Sequence, residues 1–538
     1  MFSILKPHVA LTALYNSSAR EAEHASTCLP DTREKVLENI LEWTMGDDKH
    51  PICWLRGPAG SGKSTVAHTI AEQCHQRDEL AATFFFSRGK GDRSDIGKLL
   101  PTLAFQLAQR MPSIRPLLLE ALADESTLSQ TLGDRFLNLI VKPLRAIEES
   151  KHPMIIIIDG LDECAVQDAI VTLIKFLGET NLSHRLPVRF LLTSRPETQI
   201  RDAFRLHVTQ NTLFPLALED FAAHNDIRMY LQSRLSDIRN RRDLLMRDVP
   251  IPWPSKTHLE MLVRQSEGLF IYVSTLLKFV DDGQGLPQEK LERVLEIHTG
   301  VDSLYTQVIS ESRHYPHFDR VLGSLMYLER PLSINQLAQL LQLQAAHIQQ
   351  AMQGCHSILT VPDNNDDSIQ PYHASLRDFL TDHQRAQCHF LSPVECHALI
   401  SAQCLELITM GLKNNTTKAG EPLSYACEAW HHHFSMVLSN EDCTFDKFNL
   451  CLCHLQNAMK DIDLQWLKYW IYEGLTSGKG LIIKNNTEHY DFVSLFVQKS
   501  TIFINACLTQ KLSGNAKRLH RKVQQFWQIV HVCSLLPL

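Results

Sequence analysis

Fourteen cysteines are present, yet no two stand at Cys-x-x-Cys spacing, and the closest are Cys451 and Cys453. Scattered thiols of this kind exclude a ribbon-type zinc motif and a disulfide framework, and they fit a reducing compartment such as the cytoplasm. Long hydrophobic runs are missing as well. The longest aliphatic burst, Met154 to Ile158, has the length of a buried strand, and a membrane span needs roughly 18 apolar residues. The apolar N-terminal stretch is interrupted by Lys6, Pro7 and His8, which argues against a signal-peptide core. Charge of one sign is not in excess. Lys and Arg total 53 against 60 Asp and Glu, a net charge of -7 that does not suit a general nucleic-acid coat. No period of about 20–50 residues recurs, so a repeat array is excluded. What is present is ordinary for globular proteins: 44% hydrophobic and 21% charged residues. At ~100–200 residues per domain, the length predicts about three domains.

The first 45 residues read as a lead-in. Its helical stripe, Arg33 to Trp43, has Asp31 or Thr32 as the expected N-cap. From 46 to 215, apolar bursts (Ile52–Leu55, Ala82–Phe86, Met154–Ile158, Val188–Thr193) alternate with helical patterns (Thr65–His75, Gly97–Arg110, Ala165–Leu177). Strands apolar on both faces and separated by helices predict a parallel α/β sheet covered on both sides. From 216 to 300 the pattern turns helical, with Phe221–Leu235, His258–Phe279 and Gln288–His298, and the charged stretch Arg239 to Asp248 reads as a solvated helix end and loop. Residues 301–385 predict three helices. After them come a hairpin of Ser357–Val361 and Ile369–Tyr372 around an Asn- and Asp-rich turn, and the helix Ala374–Leu380. Three helices with a hairpin make a winged-helix pattern. Residues 386–538 look α-helical, with Trp430, Trp466, Trp470 and Trp527 as expected core anchors.

The strongest motif is Gly57-Pro58-Ala59-Gly60-Ser61-Gly62-Lys63-Ser64-Thr65, which matches G-x-x-x-x-G-K-[ST] between a strand and a helix. Its glycines let successive backbone N–H groups converge on phosphates, and the helix N-terminus adds its dipole. Lys63 is placed to reach the β- and γ-phosphates and Ser64 to coordinate Mg²⁺. A second element, Ile155-Ile156-Ile157-Ile158-Asp159-Gly160-Leu161-Asp162-Glu163, delivers Asp159 to the carboxyl end of a strand, where it can hold Mg²⁺ through water or through Ser64. Asp162 or Glu163, with Glu163 slightly favoured, would orient an attacking water. Both also fit as acids at a helix N-terminus. The third element, Phe190-Leu191-Leu192-Thr193-Ser194-Arg195-Pro196, brings Arg195 to the same sheet edge as a candidate γ-phosphate sensor.

In this order and spacing the three elements resemble the NACHT family of STAND-class P-loop NTPases, fungal type. Gly160 directly after Asp159, followed by Asp162 and Glu163, carries much of the likeness. So do Glu267-Gly268-Leu269-Phe270-Ile271-Tyr272, Arg330-Pro331-Leu332-Ser333-Ile334, His373-Ala374-Ser375-Leu376-Arg377-Asp378-Phe379-Leu380, and the lead-in Cys28-Leu29-Pro30-Asp31-Thr32-Arg33. The resemblance implies a switch. ADP holds the NTPase, helical and winged-helix domains closed, exchange for ATP opens them to self-associate, and His373 touches the β-phosphate of ADP. Many relatives carry a proline where Phe270 stands, so ATP and GTP both stay open. Gly160 replaces the acid that motor ATPases place after the Mg²⁺ aspartate, which implies slow hydrolysis. The implied output is signalling of an innate-immunity or cell-death kind. The alternative is a scaffold whose bound nucleotide never exchanges. About 45 residues before the core and an unrepetitive tail imply either a shortened form or a helical arm in 390–538.

Three further clusters carry less. His431-His432-His433 would point in different directions on a helix, and Cys388-His389, Cys396-His397 and Cys451-Leu452-Cys453-His454 match no recognised zinc-ligand spacing. Lys517-Arg518-Leu519-His520-Arg521-Lys522 reads as a solvated helix face.

Overall fold

The computed structural model describes residues 1–17, 27–45, 50–88, 90–124, 126–147, 153–183, 186–296, 300–413 and 421–439. Trp466, Trp470, Trp527, the Cys451–His454 group and the basic stretch 517–522 lie outside the described residues. The chain divides into two compact units. The first comprises Met1–Val308, His356–Leu359 and Pro371–Asp378, and the second holds the remainder.

The first unit is built on five parallel strands: β1 (Ile52–Arg56), β2 (Leu80–Phe85), β3 (Met154–Asp159), β4 (Val188–Ser194) and β5 (Leu213–Ala217). Their order is β2-β3-β4-β1-β5. Side chains alternate across a strand, so each face collects its own core. Ile156 and Ile158 join Trp54, Phe84 and Leu192 beneath the helices Ile96–Arg110 and Gln167–Ser183. Ile155 and Ile157 join Leu55, Phe85 and Leu191 beneath Lys63–Gln76 and Glu34–Met45. Burial on both faces is why these strands read as unbroken apolar bursts. The sheet has one strand more than the bursts predict. β5 sits at the edge, pairs with β1, is only partly buried and contains Pro215. Proline is tolerated on an edge, and a half-exposed strand carries no apolar burst.

Local expectations need correction at three places. Helix Glu34–Met45 starts directly after Arg33, whose φ is 57°, and the Thr32 hydroxyl donates to the Leu29 carbonyl at 2.6 Å. The N-cap position therefore falls on Arg33, past both Asp31 and Thr32. The single helix expected over His258–Phe279 is two, Lys256–Gln265 and Phe270–Val280, parted where Glu267 and Gly268 have φ of 51° and 79°. The three helices expected from residue 301 are four: Val301–Ser312, Phe318–Tyr327, Ile334–Leu341 and Ala345–Met352.

The expected hairpin forms from β6 (Leu359–Thr360) and β7 (Gln370–Pro371), and Ala374–Leu380 is helical as expected. In the second unit, Ser333 and Gln336 close a reciprocal capping box at the start of Ile334–Leu341. Helices Pro393–Lys413 and Glu421–Ser439 pack together and enclose Trp430, which is fully buried. His433 is buried between His397, 2.8 Å away, and the Tyr425 hydroxyl, 2.9 Å away, while His432 pairs with Glu329. Among the described residues no group of three or more His, Cys, Asp or Glu forms a metal site, and no helix is long and apolar enough to cross a membrane.

Candidate functional site

The loop after β1 turns through Gly60 and Gly62, with φ of 74° and 96°, before helix Lys63–Gln76 begins. A Cβ on Gly60 would lie 2.0 Å from Cγ2 of Ile271, and the Ile271 N–H donates to the Gly60 carbonyl at 3.1 Å. The loop is thus fastened to the first turn of Phe270–Val280, and only glycine permits that approach. Lys63 is buried. Its Nζ donates to the Gly57 carbonyl at 2.8 Å and the Pro58 carbonyl at 2.9 Å. Burial pushes this amine below its ordinary value, although Asp162 and Asp159 oppose the shift. An ammonium held by carbonyls of its own loop is arranged to turn onto an anionic ligand. Arg33 supports the same fit. It is buried, it donates to the Ser61 carbonyl at 2.8 Å, and its Nε and Nη1 have no hydrogen-bond acceptor among the described residues.

The acids lie across from this loop. Asp159 ends β3 and is buried, and its Oδ1 accepts from the Thr193 hydroxyl at 2.6 Å. The same hydroxyl accepts from the Gly160 N–H at 2.9 Å, so β4 fixes the aspartate. Asp162 and Glu163, adjacent in sequence, have different partners. Asp162 is engaged by Arg195, through the backbone N–H at 2.9 Å and Nε at 3.1 Å. Glu163 accepts the Arg88 N–H at 3.1 Å. Burial, with Asp162 and Asp159 adding to it, raises the Glu163 carboxyl to about 7. A carboxyl near neutrality is poised for proton transfer, whereas an ion-paired one is not.

The segment after β7 completes the site. His373 Nδ1 accepts the Ser375 N–H at 3.1 Å and lies 2.7 Å from the Ser375 hydroxyl, which is 2.8 Å from the Tyr305 hydroxyl. Burial, then the positive charges of Arg195 and Lys63, push the His373 ring down to about 3. The ring is therefore neutral near pH 7, and with Nδ1 accepting it carries its proton on Nε2. Asp378 forms a close ion pair with Nη1 of Arg195 and lies 3.6 Å from Nη1 of Arg88.

The phosphate loop, Asp162, Glu163, Arg195 and His373 border a cavity of about 320 Å³, within the range of roughly 300–1,000 Å³ typical of ligand pockets, while Arg88 and Asp378 lie outside its lining. Of the residues singled out in the sequence, Ala59, Gly60, Gly62, Lys63, Ser64, Thr65, Asp162, Glu163, Arg195 and His373 line it. Gly57, Pro58, Ser61 and Asp159 stand behind that wall and hold its members. Arg33, Arg88, Phe270 and Asp378 were not assigned roles from sequence. Arg33, Phe270 and Asp378 lie inside quoted motifs, but Arg88 becomes relevant only through tertiary contacts.

Residues 31–195 match the family described as Nephrocystin 3, N-terminal. With the phosphate loop and the parallel sheet, this match supports reading that part of the chain as a P-loop NTPase core similar to those of the NACHT/STAND class. No curated protein matches the chain. Among solved structures it is similar to a signal transduction ATPase with numerous domains that carries a tetratricopeptide repeat sensor, from Pyrococcus horikoshii. The identity is 11% and the TM-score 0.41, covering 90% of this chain and 65% of that one. It is also similar to the Aeropyrum pernix ORC1 protein in complex with DNA, at 14% identity and a TM-score of 0.31, covering 69% of this chain and 95% of the other. The chain thus spans just under two thirds of the length of the first of these. Likenesses this distant leave the fold argument to the sheet and the loop.

Proposed function

We propose that this protein is a nucleotide-dependent switch that binds ATP or ADP, hydrolyses slowly and reports the state of its phosphates through residues 371–378. The observation that carries the reading is convergence. His373, almost two hundred residues from Arg195, lines one cavity with the phosphate loop and the sensor arginine, and Asp378 pairs with that arginine. Gly57 to Thr65 cradle the phosphates, Lys63 neutralises them, and the His373 Nε2–H donates to one of them. Ser64 and Asp159 would hold magnesium, an ion that would shield phosphate charge when bound. Glu163 takes the proton of the attacking water, and Arg195 senses the terminal phosphate. Phe270 stands where many relatives carry a proline, so GTP remains a candidate ligand.

In this reading the domains are the lead-in 1–45, the core 46–215, a helical domain 216–300, a winged helix 301–385 and a helical region 386–538. Opening of the 371–378 contact would expose surfaces for self-association and signalling, in the fungal-type manner the sequence resembles. Eight of the described cysteines are free thiols, which supports a cytoplasmic setting. The test is calorimetric titration of the full chain with ADP and ATP in magnesium. Lys63→Ala should weaken both by at least about a hundredfold while leaving the far-UV spectrum unchanged, because a buried phosphate would lose its charge partner. Equal affinities in the variant would overturn the phosphate assignment.

A further inference from the structure

A second, larger cavity of about 850 Å³ adjoins the nucleotide cavity, and Tyr230, Ser274, Lys278 and Tyr372 line both. Phe270, Ser274 and Lys278 recur every four residues along Phe270–Val280, so they share one helix face. Lys278 stands at the far end of that face from the phosphate loop. Its amine lies 2.8 Å from the centroid of the Tyr372 ring.

The charges of the larger cavity are unevenly matched. Each of its three carboxylates is engaged. Asp237 pairs with Arg234 at 3.6 Å. Asp281 pairs with Arg241 at 3.0 Å and Arg242 at 2.8 Å. Asp282 pairs with Lys290. Lys278 has no carboxylate partner among the described residues, and burial alone pushes its amine down to about 7. A desolvated amine without a counter-charge is costly to keep against an aromatic ring, and an anion is the group that repays it. An aromatic face supplies only about 0.5–2 kcal/mol towards a cation, less than a full charge partner.

We propose that Lys278 anchors a phosphate group in this second compartment, so that the protein takes a second phosphate beside the nucleotide held at Lys63. The phosphate belongs either to the nucleotide itself, carried on its ribose, or to a separate ligand. The proposal rests on the nucleotide-switch reading above, and the experiment separates the two.

The full chain is titrated calorimetrically with three probes: ADP, ADP bearing a 3′-phosphate, and inorganic phosphate in the presence of saturating ADP. If ADP itself does not bind, the nucleotide reading fails. If ADP binds, the proposal expects one of two gains. Either the 3′-phosphorylated nucleotide binds about tenfold more tightly than ADP, as one charge-assisted contact gives, or inorganic phosphate binds the ADP complex saturably. The first outcome assigns the phosphate to the nucleotide and the second to a separate ligand. Lys278→Gln should bring the ratio of the two nucleotide affinities to about one and abolish the phosphate isotherm. Lys278→Arg, which keeps the charge, should preserve the gain and serves as the control for folding. A gain in neither arm, or a gain that survives Lys278→Gln, overturns the proposal.

Discussion

Two adjacent acids with different partners give the first prediction. Asp162 is held by Arg195 from both its backbone and its side chain, while Glu163 has a carboxyl raised to about 7. A general base works only when ionised, and its ionised fraction rises as pH passes through its pKa. Single-turnover hydrolysis should therefore climb between pH 6 and pH 8. Glu163→Gln should lower it by about a hundredfold and flatten that rise, with nucleotide affinity retained. A pH profile that keeps its slope in the variant would assign the base elsewhere. His373 behaves oppositely. With its ring pushed down to about 3, it stays neutral above pH 5, so its contribution to nucleotide affinity should not vary from pH 6 to pH 9. At this scale the sequence was most readable where neighbours in the chain act together. Gly57 to Thr65 and Asp159 to Glu163 are contiguous runs whose residue types are fixed by their chemistry. The choice between Asp162 and Glu163 depends on Arg195 and Arg88, from other strands, and so could not be read from the run itself.

Elements were readable where burial was symmetric. Strands β1 to β4 are covered on both faces and stood out as apolar bursts, whereas the edge strand β5, with Pro215 and partial exposure, left no such trace. The break at Glu267 and Gly268 was hidden because only the short stretch Ser266 to Leu269 parts the two helices. That break matters because it sets the start of Phe270–Val280 against the phosphate loop, with Ile271 on Gly60. Gly60→Ala should be damaging twice over. Left-handed backbone costs an ordinary residue roughly 1–2 kcal/mol, and the new methyl collides with Ile271. We expect about tenfold weaker ADP binding and a lower melting temperature. Adding Ile271→Gly, which removes both the Cγ2 at 2.0 Å and the Cβ at 2.5 Å, should recover part of the affinity by removing the collision but not the backbone term. No recovery in the double variant would show that the loop conformation, rather than its seat on the helix, is what the glycine protects.

At the scale of the whole molecule, the question is what keeps residues 371–378 on the nucleotide site. Arg195 is shared between Asp162 of the core and Asp378, and Arg88 stands near the same Asp378 carboxylate. The pairing spans 183 residues of sequence, so no local pattern announces it. In the proposed switch Arg195 senses a terminal phosphate, so Asp378 would compete with that phosphate for one guanidinium. An ADP-filled site would leave Arg195 to Asp378. An ATP-filled site would offer it a stronger anion and loosen the segment that carries His373. Asp378→Asn removes the charge while keeping the shape. Losing one hydrogen bond to a charged group, about 1.5–3 kcal/mol, should speed release of a fluorescent ADP analogue chased with ATP by roughly ten- to a hundredfold. Asp237→Asn, at a carboxylate outside the nucleotide cavity, should leave the release rate unchanged. If the segment also restrains assembly, light scattering should find a larger particle for Asp378→Asn with a non-hydrolysable ATP analogue than for the parent chain with ADP. Release at the parent rate would mean that Asp378 braces the fold without gating the nucleotide, and ADP that is released from neither chain would favour the scaffold alternative, in which the nucleotide never exchanges.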